Sequence, residues 1–314
     1  MRNDLIQEFP VSSQYFAPRR KERLMFLGEQ ISQRHITFRD RLIGIVGDAG
    51  SGKSSLIKGM FPGLELSNDD DMLNPRKIMQ VRSMFEDVSD SATTYHIDMR
   101  FQTAFTQMHE IVDFVNQMLE RGKRIIVEHF DVLYTALGIN ADIIIGIGEE
   151  IIVVRPNIFG PLPGSIYDIV HTSLKYRKMA HTLEDITLLI LAEDFGVKHE
   201  NLLSSDIRKG FVLKFDEKIN IDFDKLSDRI HEKISENIPV SYLNEDHIQI
   251  GDRVIECNGP RFHVKNTSEI EEFFLVKKFM KDPKSNAYCL IGLIGNGVEN
   301  LENRNTLYFL KRKS

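Results

Sequence analysis

Leu42-Ile-Gly-Ile-Val-Gly-Asp-Ala-Gly-Ser-Gly-Lys-Ser54 decides how the N-terminal half folds. A short apolar run, Leu42–Val46, has the length and composition of a buried strand, and Ser54 to Met60 has helical periodicity. Between them, Gly47 to Ser54 satisfies G-x-x-x-x-G-K-[ST] at every fixed position. The pattern has a mechanism. Glycines let the backbone curl so that its N–H groups converge on a phosphate chain, and the following helix start adds a favourable dipole. The spacing assigns nucleotide contacts to Gly47, Asp48, Ala49, Gly50, Ser51, Gly52, Lys53, Ser54 and Ser55. Lys53 reaches the β- and γ-phosphates and the Ser54 hydroxyl ligates Mg²⁺. ATP or GTP is the expected ligand, because such a loop reads phosphates and not the base.

Outward from this stretch, strand-like and helical segments alternate. Leu64–Leu66, Thr94–Asp98, Arg124–Val127, Ile143–Ile147 and Ile151–Val154 read as strands. From Ala104 to Glu120, Phe105, Met108, Ile111, Val112, Val115 and Leu119 recur at helical spacing until Gly122 stops the helix. The alternation predicts a mainly parallel sheet with helices on both faces, an α/β fold. Before it, residues 1–40 read as an N-terminal helical extension, in which Leu24, Leu27 and Ile31 share one face of a helix over Lys21–Arg34. The cluster Arg19-Arg20-Lys21 fits either a phosphate contact or a solvated helix start. Pro156–Gly164 carries three prolines and two glycines and reads as the linker. The expected domains are therefore 41–160 for nucleotide binding and 165–314 for an α+β unit.

The 314 residues carry 42% hydrophobic and 27% charged residues and a formal net charge of −6, which excludes a disordered chain and a non-specific nucleic-acid coat. Two cysteines, Cys257 and Cys289, exclude a disulfide framework and favour a reducing compartment. No signal-peptide core follows Met1, and the apolar stretch Ala141–Val154 is broken by Gly146, Gly148, Glu149 and Glu150. A cytoplasmic protein with no membrane span is expected.

Two acidic positions bear on the fate of the nucleotide. Glu128 follows the strand Arg124–Val127, where a carboxylate faces the metal in nucleotide-binding folds of this type. Ser67-Asn-Asp-Asp-Asp71 follows Leu64–Leu66. Over about residues 42–155 the chain resembles the P-loop small-molecule kinases of the uridine and riboside kinase type. That resemblance implies Asp70 as base or Mg²⁺-positioning group at a hydroxyl acceptor, and with Lys53 and Glu128 it completes the candidate catalytic set. An ordinary acidic strand end at Glu128 and a solvated acidic loop at Asp70 are the alternatives. Asp98 and Arg100 fall near the same cleft.

Beyond the linker, a helix is expected over Ser173–Phe195 and a strand over Phe211–Phe215. A second helix, Asp222–Asn237, turns Phe223, Leu226, Ile230 and Ile234 inward. Strand-like runs cover His247–Ile250, Arg253–Glu256 and Phe273–Phe279, and Ala287–Leu293 with Thr306–Leu310 fits a terminal hairpin. His181 and Asp185 stand at i and i+4, on one helix face. With Cys257 and His263 they make a chemically sensible zinc set. The same residue types also occur as ordinary packed or solvated side chains.

The order of segments resembles the second additional domain of alanyl-tRNA synthetase, shared with threonyl-tRNA synthetase and free-standing editing proteins. His181-Thr-Leu-Glu-Asp185 stands for H-T-x-x-H. Asn237-Ile-Pro-Val240 stands for N-[LI]-P-V, and Cys257-Asn-Gly-Pro-Arg-Phe-His263 through Thr267-Ser-Glu-Ile270 for C-G-G-T-H-x-x-x-T-x-E-I. Asp185 replaces the second histidine, and two extra residues separate Cys257 from His263. Over about residues 170–280 the resemblance implies the synthetase editing fold, Zn²⁺ at His181, Asp185, Cys257 and His263, and hydrolysis of the ester between a wrong amino acid and tRNA. Thr182 and Lys265 are polar neighbours without an assigned role. The expectation for the whole chain is an NTP-binding protein that hydrolyses or recognises an aminoacyl-tRNA or related aminoacyl ester. The alternatives are a small-molecule kinase with a decayed editing site and a nucleotide-switched binding module.

Overall fold

The computed structural model describes residues 11–18, 21–66, 94–244, 246–257, 259, 262–295 and 301. The chain divides into two compact units between His171 and Thr172. Arg19, Arg20, Ser67–Asp71 with Asp70, and Thr306–Leu310 lie outside the described residues.

The first unit is built on a six-stranded mixed sheet. Its strands are β1 (Ser12–Phe16), β2 (Leu42–Val46), β3 (Thr94–Asp98), β4 (Arg124–Glu128), β5 (Ile143–Ile147) and β6 (Glu150–Val154), in spatial order β1-β6-β5-β2-β4-β3. From β3 to β5 the neighbours are parallel. The parallel part of the expected mainly parallel sheet stops at the other edge, where β6 runs antiparallel to β5 and β1 antiparallel to β6. The reason is chain length. Only Gly148 and Glu149 join β5 to β6, enough for a hairpin, whereas a parallel return needs about a dozen residues. Because β6 is buried along its whole length, its apolar run does not reveal its direction.

Helices cover both faces. On one lie α1 (Lys21–His35) and α2 (Lys53–Met60), packed on Ile43, Ile45, Ile145 and Ile147. On the other lie α3 (Met99–Gln102), α4 (Met108–Glu120), α5 (Phe130–Leu137) and the start of α6 (Pro163–Phe195). Each fully buried isoleucine in these layers contributes about 2 kcal/mol of hydrophobic burial. Helices α1 and α2 approach so closely that a Cβ at Gly28 would collide with the Leu56 carbonyl and one at Gly59 with the Met25 carbonyl.

Several expected boundaries move. Residues 11–40 are no appendage, since β1 completes the sheet edge and α1 covers α2. Leu64–Leu66 forms no strand; Leu66 is buried against the core without a ladder partner among the described residues. Helix α4 begins at Met108 rather than Ala104, where the Glu110 carboxylate accepts from the Gln107 N–H. Helix α6 begins at Pro163, not Ser173. Proline has no N–H to lose at a first helical position, so the supposed linker's last proline is a helix start.

In the second unit, β7 (Leu202–Arg208), β8 (Gly210–Phe215), β12 (Phe274–Leu275), β13 (Met280–Lys281) and β14 (Tyr288–Leu293) form one antiparallel sheet. Strands β9 (Val240–Asn244), β10 (His247–Ile250) and β11 (Arg253–Glu256) form a meander. The run Phe273–Phe279 yields only the two-residue β12. Strand β14 pairs with β8, β12 and β13 rather than with a terminal hairpin partner among the described residues. Helix α7 (Phe223–Ser235) starts at Asp222, whose side chain accepts from the N–H groups of Asp224 and Lys225. No helix among the described residues is long and apolar enough to cross a membrane.

A buried ion pair ties the first unit's N-terminal segment to the sheet. Asp40, 3% exposed, accepts two bonds from Arg155 (2.7 and 2.8 Å) and two from Thr37 (2.6 and 3.0 Å). Arg155 also donates to the His35 carbonyl that ends α1. Burial alone would raise the Asp40 carboxyl, but its bonds to Arg155 and Thr37 outweigh burial and hold it below the ordinary 3.8. Its stabilisation is therefore complete above pH 3.8 and lost as pH falls through the lower folded value. Asp40→Ala should cost about 3 kcal/mol in urea unfolding at neutral pH. That difference should shrink when the titration is repeated in the acid range.

Candidate functional site

Strand β2 ends in the Gly47–Ser54 loop. Gly47, Gly50 and Gly52 have φ of 147°, 77° and 98°, values that L side chains rarely adopt. A Cβ at Gly47 would also press on the Ile147 carbonyl of β5. The turn therefore requires glycine, and it delivers Lys53 to the first position of α2.

Lys53 is 5% exposed. Its ammonium donates to the Asp48 carbonyl (2.8 Å) and the Gly47 carbonyl (3.3 Å), and lies 3.8 Å from Glu128 Oε2. The Ser54 hydroxyl donates to Glu128 Oε1 at 3.3 Å, and His96 Nε2 lies 3.3 Å from the same oxygen. Sheet register accounts for the convergence. Ile45 and Asp98 both pair with Glu128, so the loop and the two carboxylates meet at the C-terminal ends of adjacent parallel strands. Asp98 Oδ1 accepts from the backbone of Arg100 and Phe101 and so starts α3.

His129 follows in the left-handed conformation, φ 56°. One of its ring nitrogens and the carboxylates of Asp98 and Glu128 lie within 4.8 Å of one another. Burial, then the Lys53 and Arg100 cations, lowers the His129 imidazole to about 4. Burial likewise lowers Lys53, with Glu128 and Asp98 opposing, and raises Asp131. At the loop's second residue, Asp48 accepts from the Tyr167 hydroxyl (2.9 Å) and pairs with His171 Nδ1 (2.9 Å); the two rings stack at 5.5 Å.

In the second unit, His181 and Asp185 project from α6, Cys257 follows β11, and His263 sits in the loop before Thr267. Their donor atoms all lie within 4.8 Å of one another. Cys257 Sγ is 3.3 Å from His181 Nε2 and 3.2 Å from His263 Nε2, and His263 Nε2 is 3.6 Å from Asp185 Oδ2. The two imidazoles stack at 4.0 Å. Zinc bonds of about 2.0–2.3 Å place the donors of a tetrahedron roughly 3.3–3.8 Å apart, and the Cys257–His181, Cys257–His263 and His263–Asp185 distances fall close to that range.

Thr182 orients one of these donors. Its hydroxyl donates to the Lys178 carbonyl (3.0 Å) and accepts from the Val264 N–H (3.2 Å), and it lies 3.2 Å from His263 Nδ1. With the hydroxyl proton committed to Lys178, Nδ1 is the donor and Nε2 turns its lone pair toward Cys257 and Asp185. Phe262, beside His263, packs under the Arg177 guanidinium at 4.5 Å. Thr267 ties the wall together, accepting from the Ile238 N–H (2.9 Å) and donating to the Lys233 carbonyl (2.7 Å). Lys265 is exposed, and its carbonyl accepts from Val240.

The structure thus assembles Lys53, Ser54 and Glu128 in one place and His181, Asp185, Cys257 and His263 in another. Arg100 is exposed at the start of α3. Sequence reasoning passed over His96, His129, Tyr167 and His171. His96 was legible in principle, because it shares a strand face with Asp98 two residues on. No protein-family model matches the chain, and no curated protein matches it.

The His263 geometry has a direct readout. Long-range ¹H–¹⁵N spectra of the metal-free protein above pH 8 should show His263 as the Nδ1–H tautomer. Thr182→Val should populate the Nε2–H form, and an unchanged tautomer would contradict the assigned hydrogen-bond directions.

Proposed function

We propose that the first unit is a P-loop domain that binds ATP or GTP with Mg²⁺. The second unit, in this reading, is an alanyl-tRNA-synthetase-type editing domain that holds Zn²⁺ and acts on an aminoacyl-tRNA or related aminoacyl ester. One observation carries the reading: four donors from three separate segments converge within 4.8 Å of one another, on the positions the editing-domain pattern marks.

The chemistry of the donors fits the metal. Two imidazoles, a thiolate and a carboxylate suit Zn²⁺, and Asp185 supplies an oxygen where the family pattern has a nitrogen. Bound zinc supplies Lewis-acid polarisation of an ester carbonyl. The chain's own residues hold and orient the site. Thr182 fixes the His263 ring, and Thr267 clamps the segment 237–240 against 265–267, so that ligand positions are set before substrate arrives. In the first unit, Lys53 and Ser54 stand where a triphosphate and its cation are read, with Glu128 behind them.

A second reading, phosphoryl transfer to a hydroxyl acceptor, draws on the Asp98–Glu128 pair at the strand ends. It predicts ADP release that depends on an acceptor and is lost in Asp70→Asn.

The favoured reading has three measurable consequences. Purified protein should retain stoichiometric zinc, lost in Cys257→Ser and bound about 10–100-fold more weakly in Thr182→Val. With zinc it should deacylate Ser-tRNA or Gly-tRNA charged on alanine tRNA faster than the uncatalysed rate; equal rates would end the hydrolase assignment. Lys53→Ala should weaken ATP binding by about tenfold or more in calorimetry, as expected for loss of a charge-assisted phosphate contact.

A further inference from the structure

Glu128, Asp98 and His129 make a donor set that a phosphate-binding loop with Mg²⁺ does not require. Glu128 is 1% exposed and its Oε1 is held by Ser54 and His96, which fixes the plane of the carboxylate. The Asp98 carboxylate is anchored through Oδ1 to the start of α3. His129 is 2% exposed, and its Nδ1 is buried without a hydrogen-bond partner among the described residues. An imidazole nitrogen taken out of water in this way loses its hydration without return unless something binds it. The residue is also held in the left-handed region at φ 56°, which turns the chain sharply as β4 passes into α5. Backbone of this kind costs free energy and is found at sites that must aim a side chain.

We propose that the cation of the bound nucleotide is ligated by the protein through His129 together with Glu128 and Asp98, so that the site takes a transition ion such as Mn²⁺ or Co²⁺ in preference to Mg²⁺. The inference rests on the nucleotide-binding reading of the first unit. Its chemical basis is the ligand type. Mg²⁺ holds its water and prefers oxygen donors, whereas a nitrogen donor favours ions later in the first transition row. Triphosphate oxygens and two carboxylates satisfy either ion; the imidazole discriminates. The neighbouring Lys53 and Arg100 oppose a bare cation near Glu128, so the metal enters as its nucleotide complex, whose phosphates offset that charge.

The test uses the full chain with Mn²⁺ supplied as its ATP complex, ATP in excess so that no free ion reaches the second unit. Pulsed electron paramagnetic resonance should show ³¹P coupling from the nucleotide and ¹⁴N coupling from a ring nitrogen on the same ion. His129→Asn, whose residue accepts the left-handed conformation, should lose the ¹⁴N coupling and keep the ³¹P coupling. Wild-type protein should also bind Mn·ATP roughly tenfold more tightly than Mg·ATP, and this ratio should fall toward unity in the variant. Protein-bound Mn·ATP with ³¹P but no ¹⁴N coupling overturns the inference and leaves nucleotide binding intact. A ¹⁴N coupling that survives His129→Asn overturns the assignment to His129. Failure to bind ATP with any of these ions overturns this inference and the nucleotide reading together.

Discussion

A carboxylate withdrawn from water at the end of β4 is the constraint around which the first unit is arranged. Glu128 is 1% exposed, and a buried charge of this kind persists only when it is paired and hydrogen-bonded. Its partners come from two elements: Lys53 and Ser54 from the helix after the glycine-rich loop, and His96 from β3. The loop must therefore close tightly enough to bring Lys53 in, which is why left-handed glycines flank it. The strands must also run parallel in register, since Ile45, Glu128 and Asp98 lie side by side only in that arrangement. A helix-capping aspartate, a turn-forming histidine and a buried lysine are thus parts of one electrostatic solution.

The second unit solves a similar problem with other groups. Four potential ligands cluster there, three of them buried, and the Thr182 hydroxyl meets the His263 ring. Thr182 lies one turn along α6 from Lys178, whose carbonyl takes its proton, and this back-bond leaves its oxygen to accept from the opposing loop. Thr267, fully buried, performs the corresponding service for the chain reversal after α7. Each threonine thus joins a helix to a loop from a distant part of the chain.

Much of this was legible beforehand because its causes are local. Glycine at Gly47, Gly50 and Gly52, an apolar run before them and a helical run after them define strand, turn and helix without distant information. Helix α7 likewise declares itself through Asp222 at its start and its inward stripe of Leu226 and Ile230. Where reading failed, the deciding factor was remote. The direction of β6 depends on which edge of a sheet it joins, and Leu64–Leu66 stayed irregular because no neighbouring strand among the described residues offers it a ladder. Pro163 looked like a linker residue until it proved to be the first residue of a helix.

The sequence by itself determined the glycine-rich turn, the placement of Lys53 and Ser54 at a helix start, the pairing of His181 with Asp185 on one helix face, and the donor types that can bind a metal. Those properties depend on residue identity and on spacings of a few positions. Tertiary structure alone decided that Glu128 meets Ser54, that His129 joins Asp98, and that Cys257 and His263 gather beside His181 and Asp185. Such meetings depend on strand register and on loops packed from distant segments, and short-range periodicity carries no information about either.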